Sequence, residues 1–476
     1  MKSKFNYLIV LAVGLFSVTC NQESKLADQD QSTQNVNWEY QMAYQRGTEA
    51  VIWSTPAVSM ICMRNANFAL GGGYNTIYWL SQPPSALQEA LTANNQTPYA
   101  TVFLNTKEGP VVLDIPPASE RTAIFGSAVD IWQEPVADIG PAGTDKGKGG
   151  KYVFLPPEYN GQKIEDCINI QTKSFQIFVA LRCIPLGETS FQEAAEYSKN
   201  INAYKLSDIQ NPPQGEYIDI ADKHLPTLPD YDFSFYKYIK ELIDTEPLQE
   251  RDMVMGGMLA SIGIKKDEPF TPNAHVKKAL EDAIITGYDY MEYMFETPGF
   301  SLIEQWNGKH WMNVNEPSND GFVFDEGEYL LMDERGSLFH WATFFPRYLG
   351  KATAYITTMK DANGDFLKGD KEYKLTVPAD VPARDFWSVI AYSKKTKAWI
   401  YNDQNIVGIS SYDKDKLTLN EDGSVTLYFS MTSPEGKEAN WIPTNGEDFF
   451  LIFRFYGPQE GYFDKSFQLT DVQLHH

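Results

Sequence analysis

The sequence predicts a mainly β chain with a helical insert, an α+β protein with an N-terminal β-rich domain, a helical middle segment and a C-terminal antiparallel jelly-roll-like sandwich. Three observations carry this. Apolar residues alternate at period two from about Thr97 to Arg182. The period then changes to helical spacing between Gly187 and Glu296. From Ala352 onward seven short strands return, separated by turn residues such as Asn420-Glu-Asp-Gly423.

Taken in order, residues 1–20 have the layout of a lipoprotein-type export signal. Lys2 and Lys4 precede a short apolar run from Phe5 to Phe16, and Ser17-Val-Thr-Cys20 follows, with Cys20 as the candidate lipidated residue. Ser17 and Thr19 depart from the usual lipobox, which leaves cleavage without lipidation open. Residues 21–36 are polar and read as a tether. The expected location is therefore the bacterial cell envelope, with a membrane reached only through the N-terminal lipid.

Residues 37–186 form the predicted N-terminal β-rich domain. Trp38 to Met63 has helical spacing interrupted by Pro56, which predicts two short helices with a kink. Strands follow around Thr97–Thr106, Pro110–Pro116, Thr122–Trp132, Tyr152–Leu155 and Asp166–Arg182. Cys62, Cys167 and Cys183 remain after the signal. A Cys167–Cys183 bridge and three free thiols are both compatible with the spacing.

Residues 187–297 are the predicted helical insert. Ser190 and Glu193 make a capping-box pattern, and Thr271-Pro272 opens a long helix whose stripe runs through Val276, Leu280, Ala283, Ile284, Met291 and Phe295. Residues 298–350 are an aromatic connecting region, and 351–476 the sandwich.

A chain of 476 residues with 43% hydrophobic and 14% aromatic content supports several packed cores. Its formal charge of −23 disfavours nucleic acid or an anionic lipid surface as principal partner. A small molecule or oligosaccharide is the expected ligand, and a homo-oligomer is compatible with the composition.

Candidate chemistry falls in four places. Gly140 to Lys151 packs five glycines with Lys146, Lys148 and Lys151, a loop able to turn amides and ammonium groups towards an anion. A solvated connection is the alternative. Asp361-x-Asn363-x-Asp365 with Glu372 has calcium-loop spacing, but Phe366 stands where glycine is needed, so an Asx-turn hairpin without metal is favoured.

Asp333-Glu-Arg335, read as a strand, puts Glu334 on the opposite face. Arg335, His340 and Tyr355 are the candidate catalytic residues, with Arg347 and Trp387 beside them as binding residues: arginine and tyrosine polarise carboxylates, and tryptophan stacks on rings. The competing assignment places Trp387 and Trp441 in the sandwich core and gives Arg454 an acidic neighbour at a sheet edge. No nucleophile elbow, zinc spacing or dinucleotide fingerprint occurs, so no cofactor is expected.

The blocks Asp361 to Gly369, Pro382-Ala-Arg-Asp-Phe-Trp-Ser-Val-Ile-Ala-Tyr392, Asp422-Gly-Ser-Val-Thr-Leu, Asn440-Trp-Ile-Pro443 and Phe450 to Pro458 resemble domain of unknown function 1214. Trp53-Ser-Thr-Pro, Asp130, the glycine-lysine loop and Leu155-Pro-Pro resemble domain of unknown function 1254. The resemblance implies the same three-part architecture, often in exported proteins, and assigns no activity. The functional expectation is an exported protein that binds or processes a polar, carbohydrate or carboxylate ligand at an Arg/Lys/Tyr/Trp site between two β domains. If it is an enzyme, a cofactor-free lyase or hydrolase fits. The alternative is a non-catalytic envelope protein assembling through the aromatic stretch Trp306 to Phe324.

Overall fold

The computed structural model describes residues 36–297, 299, 302–314, 318, 321–343, 345–347 and 353–475. Cys20, the export signal and nearly all of the tether lie outside them. Two β-sandwiches flank a layer of helices, so the chain is β-rich with a helical middle. Among the described residues, no helix is long and apolar enough to cross a membrane.

Each sandwich pairs a six-stranded sheet with a four-stranded one. In the N-terminal six-stranded sheet, strand Gln176–Pro185 lies between Tyr99–Asn105 and Thr122–Asp130. Its period-two alternation has a direct packing consequence. Ile177, Val179, Leu181 and Cys183 fill the core between the sheets, while Phe178 and Ala180 pack towards the helices. In the C-terminal six-stranded sheet, strand Phe449–Pro458 lies between Thr353–Thr358 and Ala383–Ser393. Phe449, Leu451, Phe453 and Phe455 enter the sandwich core, and Phe450 and Ile452 face the other way.

The helices are α1 (Trp38–Ala69), α2 (Phe191–Tyr197), α3 (Ser234–Thr245), α4 (Met253–Ser261), α5 (Ala274–Glu296) and α6 (Met332–Trp341). Asn37 caps α1 through the Tyr40 amide, and Ser190 and Glu193 form the expected capping box on α2. Helix α5 starts later than Thr271-Pro272 suggests. Asn273 is the cap, because its side chain accepts from both the His275 and Val276 amides.

Three expectations are corrected. First, α1 is one helix of 32 residues with Pro56 inside it. Proline removes the amide that would bond the Ile52 carbonyl, yet burial on almost every side of the helix outweighs that loss. The freed carbonyl is where α6 approaches: a Cβ on Gly336 would lie 2.6 Å from Ile52 O. Second, Asp333 to Arg335 belong to α6, so the strand-based facing of these side chains does not apply. Third, Trp306, Trp311, Phe322 and Phe324 are at most 2% exposed and form core, which leaves no aromatic assembly surface there. The three thiols are free; Cys183 lies in the six-stranded sheet and Cys167 beside the four-stranded one.

Candidate ligand-binding site

Where the two six-stranded sheets face one another, they line a partly open cavity of about 180 Å³. Strand register builds its polar end. Tyr99 stands opposite Arg182 in the first sheet, and Tyr355 stands opposite Arg454 in the second. Each tyrosine is followed two residues later by a threonine on the same face, Thr101 and Thr357, and all six side chains line the cavity.

Arg182 Nε donates to Tyr99 Oη at 2.7 Å and its Nη2 to Tyr355 Oη at 3.4 Å. Arg454 Nη2 donates to Tyr392 Oη and to the Thr92 carbonyl, both at 2.7 Å. The Arg454 guanidinium also stacks 5.6 Å from the Tyr355 ring centre. Its Nη1 and the Tyr456 hydroxyl are buried with no hydrogen-bond partner among the described residues. Neither arginine makes an ion pair with a carboxylate among those residues; the titratable groups beside them are tyrosines.

These contacts separate the tyrosines chemically. Burial works against both guanidinium charges, while the tyrosine oxygens that accept from them favour the charged form, so Arg182 and Arg454 stay protonated. Burial pushes the Tyr392 hydroxyl up to about 12 and Tyr456 higher still. Tyr355 moves the other way: burial opposes its ionisation, and the charges of Arg182 and then Arg454 more than offset it. One phenol in the ring is thus made acidic.

The segment Leu91–Ala93 closes one side. Thr92 is held at φ 44°, a left-handed conformation that is costly for a β-branched residue. C-terminal groups hold it there: the Thr92 amide donates to the Lys397 carbonyl at 2.9 Å, and Trp399 Nε1 donates to Ala93 O at 3.1 Å. Most of the remaining wall is apolar, including Leu80, Phe178, Leu225, Trp341, Phe345 and Ile452.

Of the candidate catalytic and binding residues named from the sequence, Tyr355 lines this cavity and the others do not. Arg335 is fully buried against α1, 5.2 Å over the Trp132 ring, with Nη2 donating to the Trp53 carbonyl at 3.4 Å. Nearby, Arg251 pairs with Glu134 and Asp252, and burial, followed by the Glu134 charge, raises the Asp130 carboxyl to about 8. His340 sits in a different buried network, between Tyr231 Oη and Glu292 Oε1, each at 2.8 Å from a ring nitrogen. Lys397 Nζ reaches the same Glu292 oxygen at 2.7 Å. Burial, reinforced by Lys397, holds His340 below the usual histidine range.

Arg347 donates its backbone amide to Asp138 Oδ1 at 3.0 Å, away from the cavity walls. Trp387 stacks on Phe453 with ring centres 5.6 Å apart, on the sandwich side of its sheet. The competing sheet-edge account of Arg454 is also corrected, since Phe449–Pro458 is an interior strand and Arg454 has no acidic neighbour within bonding reach among the described residues.

The glycine-lysine loop carries its own anion. Asp145 is buried and accepts from the Gly140 amide at 2.6 Å, the Gly149 amide at 3.1 Å and Tyr152 Oη at 2.9 Å. Those amides face inward, while Lys146 and Lys148 are exposed and Lys151 sits in a strand opposite Asp114. At the calcium-like spacing, Asp361 Oδ1 accepts the Asn363 and Asp365 amides at 2.8 and 3.2 Å, an Asx turn, and Glu372 is exposed. No cluster of three or more histidine, cysteine or acidic residues suited to a metal occurs among the described residues.

The sequence reading missed Arg182, Tyr99 and the pairing of Arg454 with Tyr355. A signal was present: Tyr-x-Thr occurs at 99–101 and at 355–357, and each faces an apolar-x-apolar-x-Arg strand, Phe178 to Arg182 and Phe450 to Arg454.

Comparison with known proteins agrees with this architecture. A crystal structure of the VPA0106 protein from Vibrio parahaemolyticus superposes with a TM-score of 0.57 at 16% identity, covering 91% of this chain and all of that one. An uncharacterised protein from Burkholderia cenocepacia gives a TM-score of 0.41 at 9% identity over 92% of this chain and 94% of its own. No curated protein matches. Family models described as protein of unknown function match residues 74–205 (DUF1254) and 352–460 (DUF1214). The chain therefore belongs with the proteins that carry these two domains in that order.

Proposed function

We propose that the cavity between the sandwiches binds a small carboxylate-bearing molecule. The observation that carries this reading is the pair Arg182, half-buried, and Arg454, buried, whose guanidiniums meet around Tyr355 without an acidic partner among the described residues. Burying a charge is costly unless it is paired, and a carboxylate fits the planar fork of arginine.

Titration calorimetry tests the reading with acetate, benzoate, sulfate and phosphate against the neutral acetamide and benzamide. Carboxylates should bind at least tenfold more tightly than their amides, and Arg182→Met and Arg454→Met should each remove that preference. Equal binding of acid and amide defeats the proposal, and stronger binding of phosphate would reassign the ligand class.

The proposed setting is the cell envelope, with the chain exported and lipidated at Cys20. The support is the charged, apolar and Cys-ended order of residues 1–20. Labelling cells with a fatty-acid analogue should mark the protein and fail to mark Cys20→Ser; an unlabelled protein excludes the anchor.

A further inference from the structure

The side chains beyond the arginine-tyrosine end decide what else the ligand carries. Gln88 donates to the Ile220 and Lys223 carbonyls and accepts the Ser85 amide. Asn67 Nδ2 donates to Met63 O, Thr227 Oγ1 to Glu89 O, Thr343 Oγ1 to Gln133 Oε1 and Thr357 Oγ1 to Leu451 O. These donors are already committed within the protein. On this wall Asn67 Oδ1 and Asn94 Nδ2 are without a partner among the described residues, enough to meet two hydroxyls. A sugar body would bring several more, and each unmatched hydroxyl costs free energy on burial. An apolar body brings none and removes the larger, apolar part of the wall from water.

Size narrows the class further. A cavity of about 150 Å³ lined by aliphatic and phenyl groups holds one benzene. The present cavity is about 180 Å³, so it takes one ring, or a short chain, beyond the headgroup. Resting on the carboxylate reading above, we propose that the ligand is an amphiphilic monocarboxylic acid. Its carboxylate meets Arg182 and Arg454, and its body is a single aromatic ring or an alkyl chain of roughly six to nine carbons against Leu80, Phe178, Leu225, Trp341 and Phe345.

The test uses the full chain and a homologous series: acetate, butyrate, hexanoate, octanoate and dodecanoate, with 3-phenylpropionate, its amide and glucuronate. Affinity should rise about fourfold per added methylene up to octanoate, following about 0.8 kcal/mol per buried methylene. It should then fall at dodecanoate, and 3-phenylpropionate should compete with octanoate. Tyrosinate absorbance gives a second readout that needs no variant. A bound carboxylate opposes the field of the two arginines on Tyr355, so the earliest phenolate step of a titration should move to higher pH on binding.

Acetate or glucuronate binding as tightly as octanoate overturns the amphiphile while leaving the carboxylate site standing. Dodecanoate binding more tightly than octanoate overturns the size limit. Silence for every carboxylate overturns both this inference and the proposed function.

Discussion

Tyr355 pairs in register with Arg454 across an interior strand pair, and its hydroxyl also lies 3.4 Å from the Arg182 guanidinium of the other sandwich. A phenol placed between two cations should ionise early. In a spectrophotometric titration one tyrosine should form phenolate below the usual range, before Tyr392 at about 12. Tyr355→Phe should remove that early step and Arg182→Met should delay it. An unchanged first step in Tyr355→Phe would assign the acidity to another group.

Asp130 gives a stability prediction with a defined sign. Burial and the neighbouring Glu134 raise its folded carboxyl to about 8, against an ordinary value of 3.8. The native state therefore holds a proton that the unfolded chain releases, so this group's contribution is full below about pH 4 and declines as pH rises towards 8. Asp130→Asn keeps the protonated form's shape. It should raise stability at pH 8 by ~1 kcal/mol or more and flatten the decline between pH 6 and 8 in urea unfolding.

The His340–Glu292–Lys397 network has the opposite slope. Burial opposes the Glu292 charge, but the His340 hydrogen bond and the Lys397 charge hold its folded carboxyl at about 2, and His340 is held below 6.5. Both are depressed groups. Their contribution is complete above about pH 6.5 and is lost as the pH falls towards 2. His340→Gln should flatten the upper part of that acid loss.

Removing one member of the network by Glu292→Gln should cost about 3–5 kcal/mol, because Lys397 would remain buried without its carboxylate. Glu292→Gln with Lys397→Met should recover most of it. A double mutant as unstable as the single one would show that the charge pair is not the cause.

The glycine-lysine loop should respond to its internal acid and not to its lysines. Asp145→Ala strands two amides and the Tyr152 hydroxyl, so a loss of about 1–3 kcal/mol is expected in thermal or urea unfolding. Lys146→Ala and Lys148→Ala are exposed changes and should fall within about 0.5 kcal/mol of the parent.

Period-two alternation made both sandwiches legible, because strands such as Gln176–Pro185 bury alternate residues in different cores. Local rules failed where tertiary burial overrode them. Pro56 signals a break in isolation, whereas α1 runs through it with burial on nearly all sides. The site was legible only in part for a related reason. Tyr355 stands out as a polar residue on an apolar strand, but its partners come from sheet register and from the opposing sandwich. Arg182 lies 173 positions away in the chain, a separation that no local window joins.

The segment Leu91–Ala93 belongs to the N-terminal half by sequence, yet Arg454, Tyr392, Trp399 and the Lys397 carbonyl hold it in place from the C-terminal half. Each sandwich also supplies one arginine. The heritable unit of this site is consequently the two domains together. A gene that retained one and lost the other would encode half of the cavity and leave Leu91–Ala93 untethered, so the cavity depends on the linkage of the two domains as well as on their residues.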